Sequence, residues 1–86
     1  MKILLHRHFE KQYKKLLPDE QRRFKERRDL FLEDEFHSSL NNHALRGKYA
    51  GCRSISVGGD LRVVCKRIAP DIVIFVIMGT HSELYS

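Results

Sequence analysis

The sequence predicts an α+β fold: strand, helix, helix and then three strands, with the helical hairpin packed on one face of an antiparallel sheet. Three observations carry this. Apolar residues recur at helical spacing only within the first 33 positions. Strict polar–apolar alternation begins after Gly51. Residues 72–78, all apolar, have strand length and the composition of a strand buried on both faces. A chain of 86 residues is expected to form one domain, 1–86, built on one small core.

Each element has a local cause. Residues 2–6 read as a short strand. Phe9, Tyr13, Leu16 and Leu17 then fall on one face of a helix. Pro18 closes that helix, because it disfavours helical geometry in the residue before it. Pro18 also opens a second helix, where Asp19 and Glu20 complement the N-terminal dipole. Phe24 and Phe31 give this helix its apolar face to about Glu33. Ser38 to Asn42 is polar and turn-like, so residues 35–45 read as a connection. Arg53-Ser54-Ile55-Ser56-Val57 alternates as a strand does, and Gly58-Gly59 supplies a two-residue hairpin loop. Residues 61–68 return, Ala69-Pro70-Asp71 turns again, and residues 72–78 complete the meander. The helices leave the other sheet face open, and the basic residues of the meander are expected to gather there.

The Gly58-Gly59 loop sets Val57 against Asp60, and so sets Cys52 directly against Cys65. Two cysteines without a CxxC spacing in a chain with no targeting run read as free thiols in a cytoplasmic protein. No apolar run approaches the roughly 20 residues that a membrane helix needs, so no membrane is expected. The histidines lack ligand spacing apart from His6-x-His8, on one side of the first strand, and neither metal nor cofactor is expected.

The net charge of +5 is uneven. Residues 36–68 hold Arg46, Lys48, Arg53, Arg62, Lys66 and Arg67 against Asp60 alone. A field of this kind attracts phosphate backbones or acidic protein segments. The sequence holds no nucleophile elbow, phosphate-cradling glycine loop or paired-carboxylate motif. What remains suits RNA. The 2′-hydroxyl is already a nucleophile beside the phosphorus, so cleavage needs only a base, a cation for the phosphorane charge and an acid for the leaving oxygen. His43, His81, Arg53, Arg62, Lys66 and Tyr85 are groups of those types.

The string His43-Ala44-Leu45-Arg46-Gly47-Lys48-Tyr49-Ala50-Gly51, then Arg53-Ser54-Ile55, Gly59-Asp60-Leu61-Arg62 and Gly79-Thr80-His81-Ser82-Glu83-Leu84-Tyr85, resembles the RelE/ParE toxin superfamily, and within it the YafQ-type mRNA interferases. The resemblance covers residues 43–85. It implies a RelE-like βααβββ fold and a toxin of a type II toxin–antitoxin system that cuts mRNA on the ribosome and blocks translation. The partners it implies are a cognate antitoxin, the ribosome and mRNA. It also implies catalytic positions at His43, Asp60, Arg62, His81 and Tyr85, with Arg46, Lys48, Arg53 and Lys66 as RNA-binding cations. His81, Arg62 and Tyr85 are expected to converge near the last two strands, with His43 at the margin. The sequence departs from the pattern at three places: Ser56 stands where a second histidine occurs, Leu61 replaces an aromatic and Ile77 an arginine. A second function class therefore stays open: a non-catalytic, ParE-like inhibitor of gyrase, or a degenerate toxin that only binds its antitoxin.

Overall fold

The computed structural model of the chain describes residues 1–85. Strand β1 (Lys2–Leu5) leads into α1 (Arg7–Lys14) and α2 (Pro18–Glu33). Two 3-10 turns, Ser38–Leu40 and Gly47–Tyr49, flank a short strand β2 (His43–Ala44). Strands β3 (Arg53–Gly58), β4 (Leu61–Ala69) and β5 (Ile72–Thr80) follow, and then α3 (His81–Tyr85). The sheet order is β1-β5-β4-β3-β2. β1 runs parallel to β5 and the other neighbours are antiparallel. The fold class and the order of the long elements are as the sequence predicts.

Strand β5, with its apolar run 72–78, is interior, between β1 and β4. On the helix side Val73, Phe75 and Met78 enter the core with Ile55, Val57, Val63 and Cys65. Phe9, Phe24 and Phe31 reach down from the helical layer, each with its ring centroid 5.7–5.9 Å from that of Phe75. Tilted and edge-on packing of this kind aligns the ring quadrupoles favourably. Gln12 adds a polar clamp. Its Nε2 donates to the Met78 carbonyl at 2.6 Å, and its Oε1 accepts from the Met78 amide at 2.8 Å. α1 thereby satisfies the β5 backbone beyond the point where β1 stops pairing.

The structure corrects the sequence reading in several places. The first strand stops at Leu5, and His6 caps α1, its Nδ1 accepting from the His8 amide at 3.0 Å. The His6-x-His8 pair is thus a helix cap with stacked rings, not two groups on one strand face. The 35–45 connection contains β2, whose two residues were too few to show a period. α3 was also unforeseen.

The largest correction is to the hairpin. The turn is Gly59-Asp60, and Gly58 belongs to the strand, paired with Leu61. A register shift between Ser56 and Gly58 inserts Val57 as an extra residue. Its side chain goes into the core, 1% exposed. The bulge sits next to the turn, at the end of the β3–β4 ladder. Gly58 takes φ +119°, and the Arg23 side chain passes 3.3 Å from where a Cβ would stand. The positive φ favours glycine, and a Cβ would require the Arg23 side chain to give way by a few tenths of an ångström. In the resulting register Cys65 faces Arg53, so Cys52 and Cys65 are not opposed. Both thiols are free.

Two predictions follow from the core. Phe75→Ala empties the centre of the aromatic cluster and should cost about 3–5 kcal/mol, read as a lowered urea midpoint; an unchanged midpoint would refute this packing. Burial, with a smaller contribution from Cys52, pushes the Cys65 thiol up to about 12. The folded state therefore keeps its proton where the unfolded chain loses it. Stability should fall as pH rises from the ordinary thiol range, about 8.5, towards about 12. Replacing Cys65 by valine should remove that part of the alkaline slope, while native Cys65 should resist alkylation at pH 8.

Candidate functional site

Strand alternation divides the six cations of residues 36–68. Arg53 pairs with Cys65, and Arg67 with Val73, so both lie on the helix side of the sheet. Arg53 Nε donates to Asn42 Oδ1 at 2.6 Å, and its guanidinium lies 5.4 Å from the centre of the Phe36 ring. Arg67 donates to Glu35 at 2.6 Å and to the Pro70 carbonyl. The expectation that the meander gathers its basic residues on one open face is therefore corrected. Odd positions of β3 and β4 point towards the helices, and these two arginines are occupied there.

The opposite face carries the other candidates. Arg62 and Lys66 alternate with core residues of β4 and point to it. Asp60 stands in the hairpin turn with Oδ1 3.7 Å from Arg62 Nη2. Arg62 is Cα-paired with Ser56 on one side and Gly79 on the other, which places it one residue from the end of β5. Ser56 Oγ accepts from the Gly58 amide, so it serves the bulged turn.

β5 ends at Thr80, and α3 then folds over this face. Leu84 is buried, 2% exposed, and anchors the helix above Gly79. A Cβ at Gly79 would lie 3.3 Å from Glu83 Cβ and from Leu84 Cγ and Cδ2, so a side chain there would push the helix off the strand by at least a few tenths of an ångström. One turn of α3 brings the His81 and Tyr85 rings to 4.9 Å. Tyr85 in turn meets the edge of Tyr49 at 6.1 Å, and Lys48 Nζ lies 5.2 Å from the Tyr49 ring centre. Arg46, Gly47, Lys48, Tyr49, Leu84 and Tyr85 surround an open hollow of about 350 Å³. Inside its wall the Tyr85 hydroxyl is shielded from solvent without a hydrogen-bond partner among the described residues.

His43 is exposed on the edge strand β2, paired with Ser54. Strands β3 and β4 separate it from β5, on the order of 14 Å at ordinary strand spacing. Its Nδ1 is 2.8 Å from the Asn41 carbonyl. A carbonyl only accepts, so Nδ1 donates to it, and Nε2 lies outside that bond.

The structure thus brings His81, Tyr85, Arg62 and Asp60 to one end of the face, with Arg46 and Lys48 across the hollow. It sets His43 at the margin and Lys66 further along β4, and it takes Arg53 to the other face. Tyr49 was missed as a site residue. Its signal, an aromatic beside Lys48 in a glycine-flanked basic turn, is visible in the sequence, but its contact with Tyr85 is not. Among the described residues no cluster of three or more His, Cys, Asp or Glu side chains is placed to hold a metal ion, and no helix is long and apolar enough to cross a membrane.

The fold is that of the RelE/YafQ-like toxins. YafQ from E. coli superposes with a TM-score of 0.77 at 20% identity, over 98% of this chain and 97% of that one. The E. coli DinJ-YafQ complex gives 0.73, also at 20%, over 98% and 97%. An archaeal RelE-RelB complex from Pyrococcus horikoshii gives 0.74 at 19%, over 92% of each chain. Comparison with curated protein sequences gives no match. The model of the family described as "Bacterial toxin of type II toxin-antitoxin system, YafQ" matches residues 1–86, and the chain belongs to that family.

The close seat of α3 over Gly79 generates a prediction. Gly79→Val should lift the helix, at a cost of about 1–3 kcal/mol. The nuclear Overhauser contact between the Tyr49 and Tyr85 rings should vanish while α1 and α2 amide resonances stay in place. Persistence of that contact would show that the hollow does not depend on the glycine.

Proposed function

We propose that this toxin is a ribosome-dependent mRNA endoribonuclease working by metal-independent attack of the 2′-hydroxyl. The observation that carries the reading is the convergence, on one sheet end, of an imidazole, a guanidinium and two tyrosine rings beside a cationic hollow. Tyr85 and Tyr49 offer ring surface to an unstacked base. Arg62, steadied by Asp60, supplies fixed positive charge for the phosphorane oxygens. Arg46, Lys48 and Lys66 follow the phosphate backbone. His81 is the proton-transfer group. In the reaction the 2′-oxygen loses its proton and bonds to phosphorus. The bond from phosphorus to the 5′-oxygen breaks, and that oxygen takes up a proton. The products are a 2′,3′-cyclic phosphate and a 5′-hydroxyl. His43, with Nε2 open, meets the RNA at the edge of the face.

The partner proposed for the same face is a cognate antitoxin, as DinJ is for YafQ and RelB for RelE in the complexes named above. Its acidic or hydrogen-bonding side chains would cover the cations that otherwise meet RNA.

Induction in a bacterial host, with primer extension on a translated reporter, tests the proposal. Wild type should arrest growth and leave discrete cuts within codons, and the antitoxin co-expressed should remove both. His81→Ala and Arg62→Ala should each abolish the cuts while the urea midpoint holds. Growth arrest with intact mRNA would assign the chain to the non-catalytic, ParE-like class instead.

A further inference from the structure

Thr80 and Glu83 have no part in the chemistry just proposed, yet they hold the element that carries it. α3 has five residues, while isolated helices shorter than about 12–15 residues are marginal in water. Two local features offset that cost. Leu84 anchors one side of the helix against the sheet. At its start, the Thr80 amide donates to Glu83 Oε1 at 2.8 Å, and the Glu83 amide donates to Thr80 Oγ1 at 3.2 Å. This reciprocal capping box satisfies two backbone donors that a helix start otherwise leaves to solvent. Thr80 is also the last residue of β5, paired with Leu61. The box therefore ties the first turn of the helix to the sheet. His81 lies inside that turn, and Tyr85 meets its ring edge-on one turn later.

We propose that Thr80 and Glu83 are positioning residues: their mutual hydrogen bonds set where the His81 imidazole and the Tyr85 ring stand over the sheet face. The inference rests on the ribonuclease reading above. It makes a divided claim. Arg46, Lys48, Arg62 and Lys66 sit on other elements, so attraction of RNA survives loss of the box. Proton transfer does not, because an imidazole on a frayed turn samples many directions and a displacement near 1 Å already costs rate steeply.

The test is single-turnover cleavage of mRNA on programmed ribosomes, at saturating and graded toxin concentrations. Thr80→Val and Glu83→Ala should each lower the saturating rate about tenfold, the scale of a lost helix cap. The half-saturating concentration should stay within about twofold, since the cations remain in place. Thr80→Ser and Glu83→Gln keep the accepting oxygens and should recover most of the rate. The double variant Thr80→Val/Glu83→Ala should lose no more than either single one, because the two residues act as a unit. Urea midpoints accompany every variant; should Thr80→Val fold poorly, the exposed Glu83 carries the test.

Wild-type saturating rates in both removal variants would overturn the inference. So would a loss confined to the half-saturating concentration, or one that the conservative variants retain. His81→Ala is run alongside to separate the two proposals. If wild type itself leaves the mRNA intact, the ribonuclease reading falls; if His81→Ala cleaves like wild type, the proton-transfer role of His81 falls, and the positioning role with it. If His81→Ala is inactive while Thr80→Val and Glu83→Ala are unimpaired, only the positioning role falls.

Discussion

The apolar character of β5 on both faces is the constraint on which the other placements depend: its helix side is buried and its far side half-buried. On the helix side Phe75 is fully buried among Phe9, Phe24 and Phe31, so both helices of the hairpin are located by contacts with one strand. On the far side the same strand needs cover again. Ile77 and the buried Val64 lie side by side there, and α3 with Leu84 comes down next to them over Gly79. Covering apolar β5 is thus what delivers His81 and Tyr85 to the face that holds Arg62. Packing and site construction share one cause: an apolar surface next to the end of a rigid strand. With Gln12 bonded to both polar groups of the Met78 backbone, that strand end has little freedom to shift.

Electrostatics are divided by the pleat. The cations of the middle third would make one broad field if all pointed the same way. Alternation instead sends Arg53 and Arg67 to the helix side, where Asn42 and Glu35 hold them. The face opposite keeps Arg46, Lys48, Arg62 and Lys66. Asp60 beside Arg62 is a partly exposed pair at 3.7 Å, which orients the guanidinium more than it stabilises the fold. The reduced set is smaller in total charge: Arg46 and Lys48 line the hollow with Tyr49 and Tyr85, Arg62 pairs with Gly79 near the end of β5, and Lys66 stands further along β4.

The three departures from the YafQ-type pattern also find structural places. Leu61 packs against the core, beside the hairpin turn. Ile77 lies next to Val64 on the face that α3 covers, a packing position here. Ser56 faces Arg62 across the ladder and spends its hydroxyl on the bulged turn. Two of the three thus serve packing and the third serves the turn, and the polar chemistry is carried by Arg62 and by α3.

The sequence by itself determined what depends on local periodicity. The helical hairpin with its break at Pro18, the meander, the interior place of residues 72–78 and the α+β class all follow from spacing, proline geometry and an apolar run. The motif residues named the candidate groups, from His43 to Tyr85. Tertiary structure alone decided the rest, because it turned on competition between distant parts of the chain. The turn settled at Gly59-Asp60 with a bulge at Val57, and the Arg53–Cys65 register parted Cys52 from Cys65. β2 and α3 are too short to leave a period of their own; the edge of β3 and the apolar back of β5 called them into being. The sides taken by Arg53 and Arg67, and the meeting of Tyr49 with Tyr85 across 36 positions of sequence, depend on register and on helix docking, neither of which is written in any short stretch of residues.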